Sequence, residues 1–122
     1  MSKTRTVWQY SMGVSEWRDA VNFLEETKNI EPKDFICWRV TAKYKHLPQL
    51  NDFVLATCRA KLLFKGFVVK VVGEKYFVRI TSVVDERPKL KGYRKNWQIL
   101  HDEALTRVKD EGMLSDVEET TQ

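Results

Sequence analysis

The chain has 122 residues, 43% of them hydrophobic and 31% charged, with a formal net charge of +4. That is the composition of one soluble globular domain able to bury a core without staples. No run approaches the roughly 18 apolar residues of a membrane span, and the basic start, Met1 to Arg5, leads into no apolar segment of a secretory signal.

In chain order, residues 4–10 are rich in β-formers and partly alternate, which reads as a first strand. Ser11-Met12-Gly13-Val14-Ser15 is a loop with Ser15 placed to cap a helix. Trp17, Ala20, Val21 and Leu24 then recur at the spacing of one helical face, which predicts a helix over 16–28 with Trp17 anchored in the core. Glu16 suits its N-terminus, while Asn29 and Pro32 mark its end. Residues 34–40 form a short apolar strand, and 41–50 read either as a helical turn limited by Pro48 or as a loop. Asn51-Asp52 introduces a strand over 53–58, with Asp52 as a turn residue, and a turn at 59–61 leads to a strand over 62–72. Gly66, in the middle of that run, points to a bulge or a close backbone approach. Gly73-Glu74-Lys75 closes a hairpin into an alternating strand over 76–84. A polar loop, 85–93, follows, then a weak helix over 102–111 that stops at Gly112. The acidic stretch 113–122 reads as a disordered tail or linker.

The sum is an α+β fold: a small mixed, mostly antiparallel β-barrel with two or three flanking helices, occupying residues 1–112 as a single domain. The charge is unevenly spread. Residues 101–122 hold Arg107 and Lys109 against seven carboxylates, a net −5, which leaves +9 on residues 1–100. A basic body suits nucleic acid, although the same sign also serves solubility. The densest cluster is Arg87, Lys89, Lys91, Arg94 and Lys95, and together with Arg39 it is the expected phosphate-contacting set.

Chemistry is poorly provided for. Cys37 and Cys58 lie in apolar stretches without metal-binding spacing and read as buried free thiols in a reducing cytoplasm, or a nucleus in a eukaryote. His46 and His101 are the only histidines, and neither Ser11 nor Ser15 has one near it, so no metal site, cofactor or catalytic residue is expected and the chain does not read as an enzyme. The aromatic residues are more informative. Trp8, Trp38 and Trp97 each sit beside polar or basic residues, a pattern that suits stacking on a nucleobase and equally suits packing. Tyr10 follows Trp8 by two and shares its strand face; Trp97 reads as packing beside the basic loop.

The order of these pieces resembles the PUA-like superfamily in its EVE and YTH-like branch, over roughly residues 6–100. The residues that carry it are Trp8-Gln9-Tyr10, the small loop Ser11-Met12-Gly13, Trp17 on the helix, and Ile36-Cys37-Trp38. Asn51-Asp52-Phe53-Val54-Leu55, Phe64-Lys65-Gly66-Phe67-Val68 and the Pro88-containing basic loop complete the order. The resemblance implies a pocket formed by Trp8, Tyr10, Ser11 and Trp38 that holds a modified, flipped base of DNA or RNA, with a basic rim for phosphates. It also implies either a stand-alone reader or the specificity module of a modification-dependent restriction system of the McrB type, joined to a motor or nuclease domain. Two alternatives stand beside it: a protein–protein interaction module with a basic docking face, and an RNA-binding barrel that uses its aromatics without base flipping.

Overall fold

A computed structural model describes residues 6–39, 46–59, 61–84 and 96–100. Six strands and one helix follow in the order β1 (Val7–Ser11), α1 (Val14–Glu26), β2 (Asp34–Trp38), β3 (Phe53–Cys58), β4 (Lys61–Val72), β5 (Lys75–Val83) and β6 (Trp97–Leu100). The strands form one sheet in the order β2-β5-β4-β3-β1-β6, curled into a half-barrel around α1. β3, β4 and β5 are consecutive antiparallel neighbours, as their turn residues predict. β1, in contrast, lies parallel to β3, with Trp8 opposite Val54 and Tyr10 opposite Ala56.

Curvature comes from β4, which serves two partners. Its pairing with β3 shifts register between Ala56 and Thr57, and its pairing with β5 shifts at Lys65/Gly66 and again at Val68/Lys70. Each shift bends the strand and adds twist. Gly66 sits at one of them, and a Cβ built there would lie 2.1 Å from the Arg79 carbonyl oxygen. Only glycine lets β4 and β5 approach this closely. Gly73, at φ 58, makes the two-residue turn into β5, and Asn51, at φ 73, takes the left-handed conformation that asparagine shares with glycine at the entry to β3.

The helix begins two residues earlier than its sequence signals suggest. Met12 N–H donates to the Thr57 carbonyl at 2.7 Å, which fixes the chain's exit from β1, and Gly13 rather than Ser15 becomes the N-cap. Gly13 has no side chain to cap with, and its carbonyl accepts the first helical bond, from Trp17 N–H at 2.9 Å. The C-terminus stops at Thr27, whose backbone N–H and hydroxyl both bond the Phe23 carbonyl, at 2.9 and 2.6 Å. Lys33 Nζ then reaches the Thr27 carbonyl at 3.1 Å, placing a cation at the negative end of the helix dipole.

Ala20 and Leu24 are buried on the concave face of the sheet, and Trp17, Val21 and Phe23 pack against the same core. Trp17 therefore has the core role its spacing predicts. Several strand boundaries differ from expectation, two of them beside the candidate site. Ser11 is the last residue of β1 rather than a loop residue, because it pairs with Thr57, and β2 ends at Trp38, with Arg39 N–H still donating to the Glu74 carbonyl at 2.9 Å in register with the β2–β5 pairing. The four-residue β6, too short to show a period, was not predicted; it pairs with β1. The predicted helix over 102–111, the tail and the loop 85–93 lie outside the described residues.

Candidate functional site

The sheet interior is built around Trp97. Its ring lies 4.6 Å from Tyr10, 5.2 Å from Tyr76 and 6.0 Å from Trp8, centroid to centroid, the last two edge to face. Alternation along β1 sends Trp8 and Tyr10 inward together, and β6 brings Trp97 beside them. Trp8 is 3% exposed, Tyr10 0% and Trp97 1%. The Trp97 ring packs against both Trp8 and Tyr10. The Trp8 indole N–H donates to the Asp52 carboxylate at 3.0 Å, and the same oxygen accepts the Gln49 N–H at 2.9 Å. Asp52 is thus the turn residue expected of it, with a second duty that local sequence does not announce.

Tyr10 joins this interior to the surface. Its hydroxyl donates to Glu16 Oε2 and accepts the Trp38 backbone N–H at 3.0 Å. Burial, reinforced by Cys37 and Glu16, holds the Tyr10 pKa far above the ordinary tyrosine value, so the hydroxyl stays protonated and keeps donating. Burial also raises Glu16, with Asp19 adding to the rise and the Tyr10 hydrogen bond opposing it. Cys37 is fully buried, and desolvation followed by the Glu16 charge pushes its thiol well up, so it remains a neutral thiol. Cys58 is the second buried free cysteine, in line with the sequence reading.

Trp38 is the exception among the four tryptophans: 45% of it is exposed. Its backbone is nevertheless fixed on both sides. Tyr10 accepts from its N–H, and Asn96 Nδ2 donates to its carbonyl at 2.6 Å. The Asn96 carbonyl in turn accepts the Ser11 N–H at 2.8 Å, so Asn96 ties the ends of β1 and β2, from opposite halves of the sheet. The Lys75 ammonium lies 5.0 Å from the Trp38 ring centroid, within cation–π range. Next in sequence, Arg39 is half-buried, its Nε has no hydrogen-bond partner among the described residues, and its charge opposes the burial-driven rise of the Tyr76 pKa.

Of the four residues expected to line a pocket, Ser11 and Trp38 are therefore linked through Asn96 at the sheet surface, while Trp8 and Tyr10 are packed within the core. Arg87, Lys89, Lys91, Arg94 and Lys95 lie outside the described residues, although Lys95 is bonded directly to Asn96. Asn96, Lys75 and Glu16 were missed by sequence reasoning. None of the three carried a local signal for the site: the hairpin turn places Lys75 across from Val72 of β4, and its pairing with Trp38 of β2 is long-range. Among the described residues no group of three or more His, Cys, Asp or Glu is placed to hold a metal, and no helix is long and apolar enough to cross a membrane. Comparison with protein-family models, with curated proteins and with solved structures finds no match to the chain.

Proposed function

We propose that the chain is a nucleic-acid-binding module in which Trp38 stacks on an unstacked base. The observation that carries this reading is a tryptophan left 45% exposed although both its backbone groups are held in place. A ring with a fixed anchor loses little freedom when a flat ligand settles on it. Lys75 supplies a cation beside the ring for phosphate, Arg39 follows Trp38 in sequence, and the +9 of residues 1–100 supplies the wider field. Asn96 follows directly on the basic run Arg94-Lys95 in sequence.

In its fuller form this is a closed PUA-like barrel of the EVE and YTH-like branch that reads a modified, flipped base, alone or joined to a motor or nuclease domain. Support for that form lies in the order of elements, in Trp17 on α1, and in Asn51, whose φ of 73 takes the place of a glycine before Asp52. The burial of Trp8 and Tyr10 favours a second reading, in which Trp38 stacks a base of a single strand with no extrusion into a pocket.

Titration of wild type and Trp38→Ala with methylated duplex, plain duplex and single-stranded oligonucleotides, followed by fluorescence anisotropy, tests the proposal. The expected result is an affinity that falls steeply with salt and drops by about 1–3 kcal/mol in the variant. Preference for the methylated duplex selects the first form, and preference for the single strand selects the second. Binding that ignores both salt and Trp38 refutes the proposal.

A further inference from the structure

The outer face of the sheet is divided. Over β1 and β3 the outward residues Val7, Gln9, Phe53 and Leu55 are all buried. Over β2, β5 and the far end of β4 the face is only partly covered: Trp38 and Lys70 are exposed, and Ile36, Lys75 and Phe77 are half-buried. Trp38 stands opposite Lys75 and Ile36 opposite Phe77, while Lys70 of β4 stands opposite Phe77 on its other side. These residues alternate with the inward Cys37, Tyr76 and Val78, so they share the outward face. Each of the two rings has an ammonium on it: Lys75 Nζ is 5.0 Å from the Trp38 centroid and Lys70 Nζ is 5.4 Å from that of Phe77.

We infer that this face of β2, β5 and β4 is a two-position stacking platform for a single-stranded nucleic acid, with Trp38 taking one base and Phe77 the next. The inference rests on the proposed stacking role of Trp38 and extends it to a second ring. Trp38 and Phe77 are diagonal neighbours across the β2–β5 pair, a relation that places Cα atoms about 7–8 Å apart. Sheets that bind single strands use aromatic residues spaced in this way, because every base has a π-face to offer.

The charges fit the same ligand. A lysine resting on a ring at the surface makes a weaker contact than a stacked base does, and its flexible stem lets the ammonium leave the ring for a phosphate. Lys70 and Lys75 would then flank the strand while the bases occupy the rings. The carboxylate on this face, Asp34, is neutralised by Arg79, whose Nε and Nη2 both bond it, the latter at 3.3 Å. Glu74, in the turn beyond Lys75, is the acidic residue closest in sequence to the platform.

The test is anisotropy with fluorescein-labelled oligothymidylate and oligouridylate of about a dozen nucleotides, a length that covers a small barrel's usual site. The proteins are wild type, Phe77→Leu, Lys70→Gln and Trp38→Ala. Leucine keeps apolar volume at position 77 and removes only the ring, and circular dichroism checks that each variant is folded. Phe77→Leu is expected to weaken binding roughly 5- to 150-fold, the span of one lost base stack. Lys70→Gln is expected to flatten the salt dependence by about one phosphate contact. Loss in Trp38→Ala alone, with Phe77→Leu and Lys70→Gln binding like wild type, overturns the platform and leaves the role of Trp38 standing. No binding of either oligonucleotide by wild type overturns the platform, and retention of methylated-duplex binding in that case preserves the broader reading.

Discussion

Gly66→Ala is the sharpest probe of how the sheet is held together. The added Cβ would stand 2.1 Å from the Arg79 carbonyl oxygen, 2.9 Å from its carbon and 3.0 Å from Val78 Cγ1. Even a close carbon–oxygen contact needs about 3.3 Å, so β5 would have to retreat by roughly 1.2 Å, a quarter of the ~4.8 Å between strands. β5 has little room to retreat. β2 pairs with it on its other side, Asp34 holds Arg79, and Ile80 N–H donates to the Lys33 carbonyl at 3.0 Å. Overpacking of this kind costs about 1–3 kcal/mol, and a lost ladder bond adds about 1 kcal/mol. The lower backbone entropy of alanine in the unfolded chain returns less than 1 kcal/mol. The net expectation is a loss of about 2–3 kcal/mol, or roughly 10 °C in thermal midpoint for a domain of this size. Urea and thermal unfolding followed by circular dichroism measure it. A midpoint equal to or above that of wild type would show that β4 and β5 adapt freely and would refute the close-approach argument.

Tyr10→Phe leaves the Trp38 N–H and the Glu16 carboxyl without their shared partner, and urea unfolding is expected to record a loss of about 2 kcal/mol. Unchanged stability would mean that water replaces the hydroxyl on both sides. Glu16→Gln tests the raised Glu16 pKa through pH. Because the folded state binds this proton more tightly than the unfolded chain, Glu16 makes stability fall as pH rises from its ordinary value near 4.5 up through its raised value. Glutamine still accepts from Tyr10 but does not titrate, so the midpoint difference between wild type and variant should change across that window and be flat on either side. Parallel pH profiles would sink it.

The elements that sequence makes legible are those whose signal is local. Trp17, Ala20, Val21 and Leu24 repeat with the helix, Gly73 needs a positive φ for its turn, and Gly66 marks a bulge whatever strand lies beside it. Long-range choices leave no such mark. The parallel seating of β1 on β3 joins residues more than 40 positions apart, and the four residues of β6 are recognisable as a strand only because the edge of β1 is there to receive them. Trp8 and Tyr10 show the limit most plainly. Their spacing places them on one face of β1, but β1 is buried on both faces, with Val7 and Gln9 as enclosed as they are, so polar neighbours in sequence say nothing about exposure.

Trp38 turns that limit around. It ends a strand whose preceding residue, Cys37, is fully buried, and one step of the pleat is all that separates the core from solvent. What keeps so large a ring outside is the pinning of its backbone. Tyr10 and Asn96 bond the N–H and the carbonyl of Trp38, and the Cα cannot rotate inward without breaking both. Those two bonds contribute about 1–3 kcal/mol net, of the same order as what burial of the exposed part of one indole would return, so turning the ring inward gains nothing once they are broken. The aromatic excess of this chain thus has two separate physical uses: a buried cluster that fixes the ends of β1 and β2, and one ring that the cluster holds in the open.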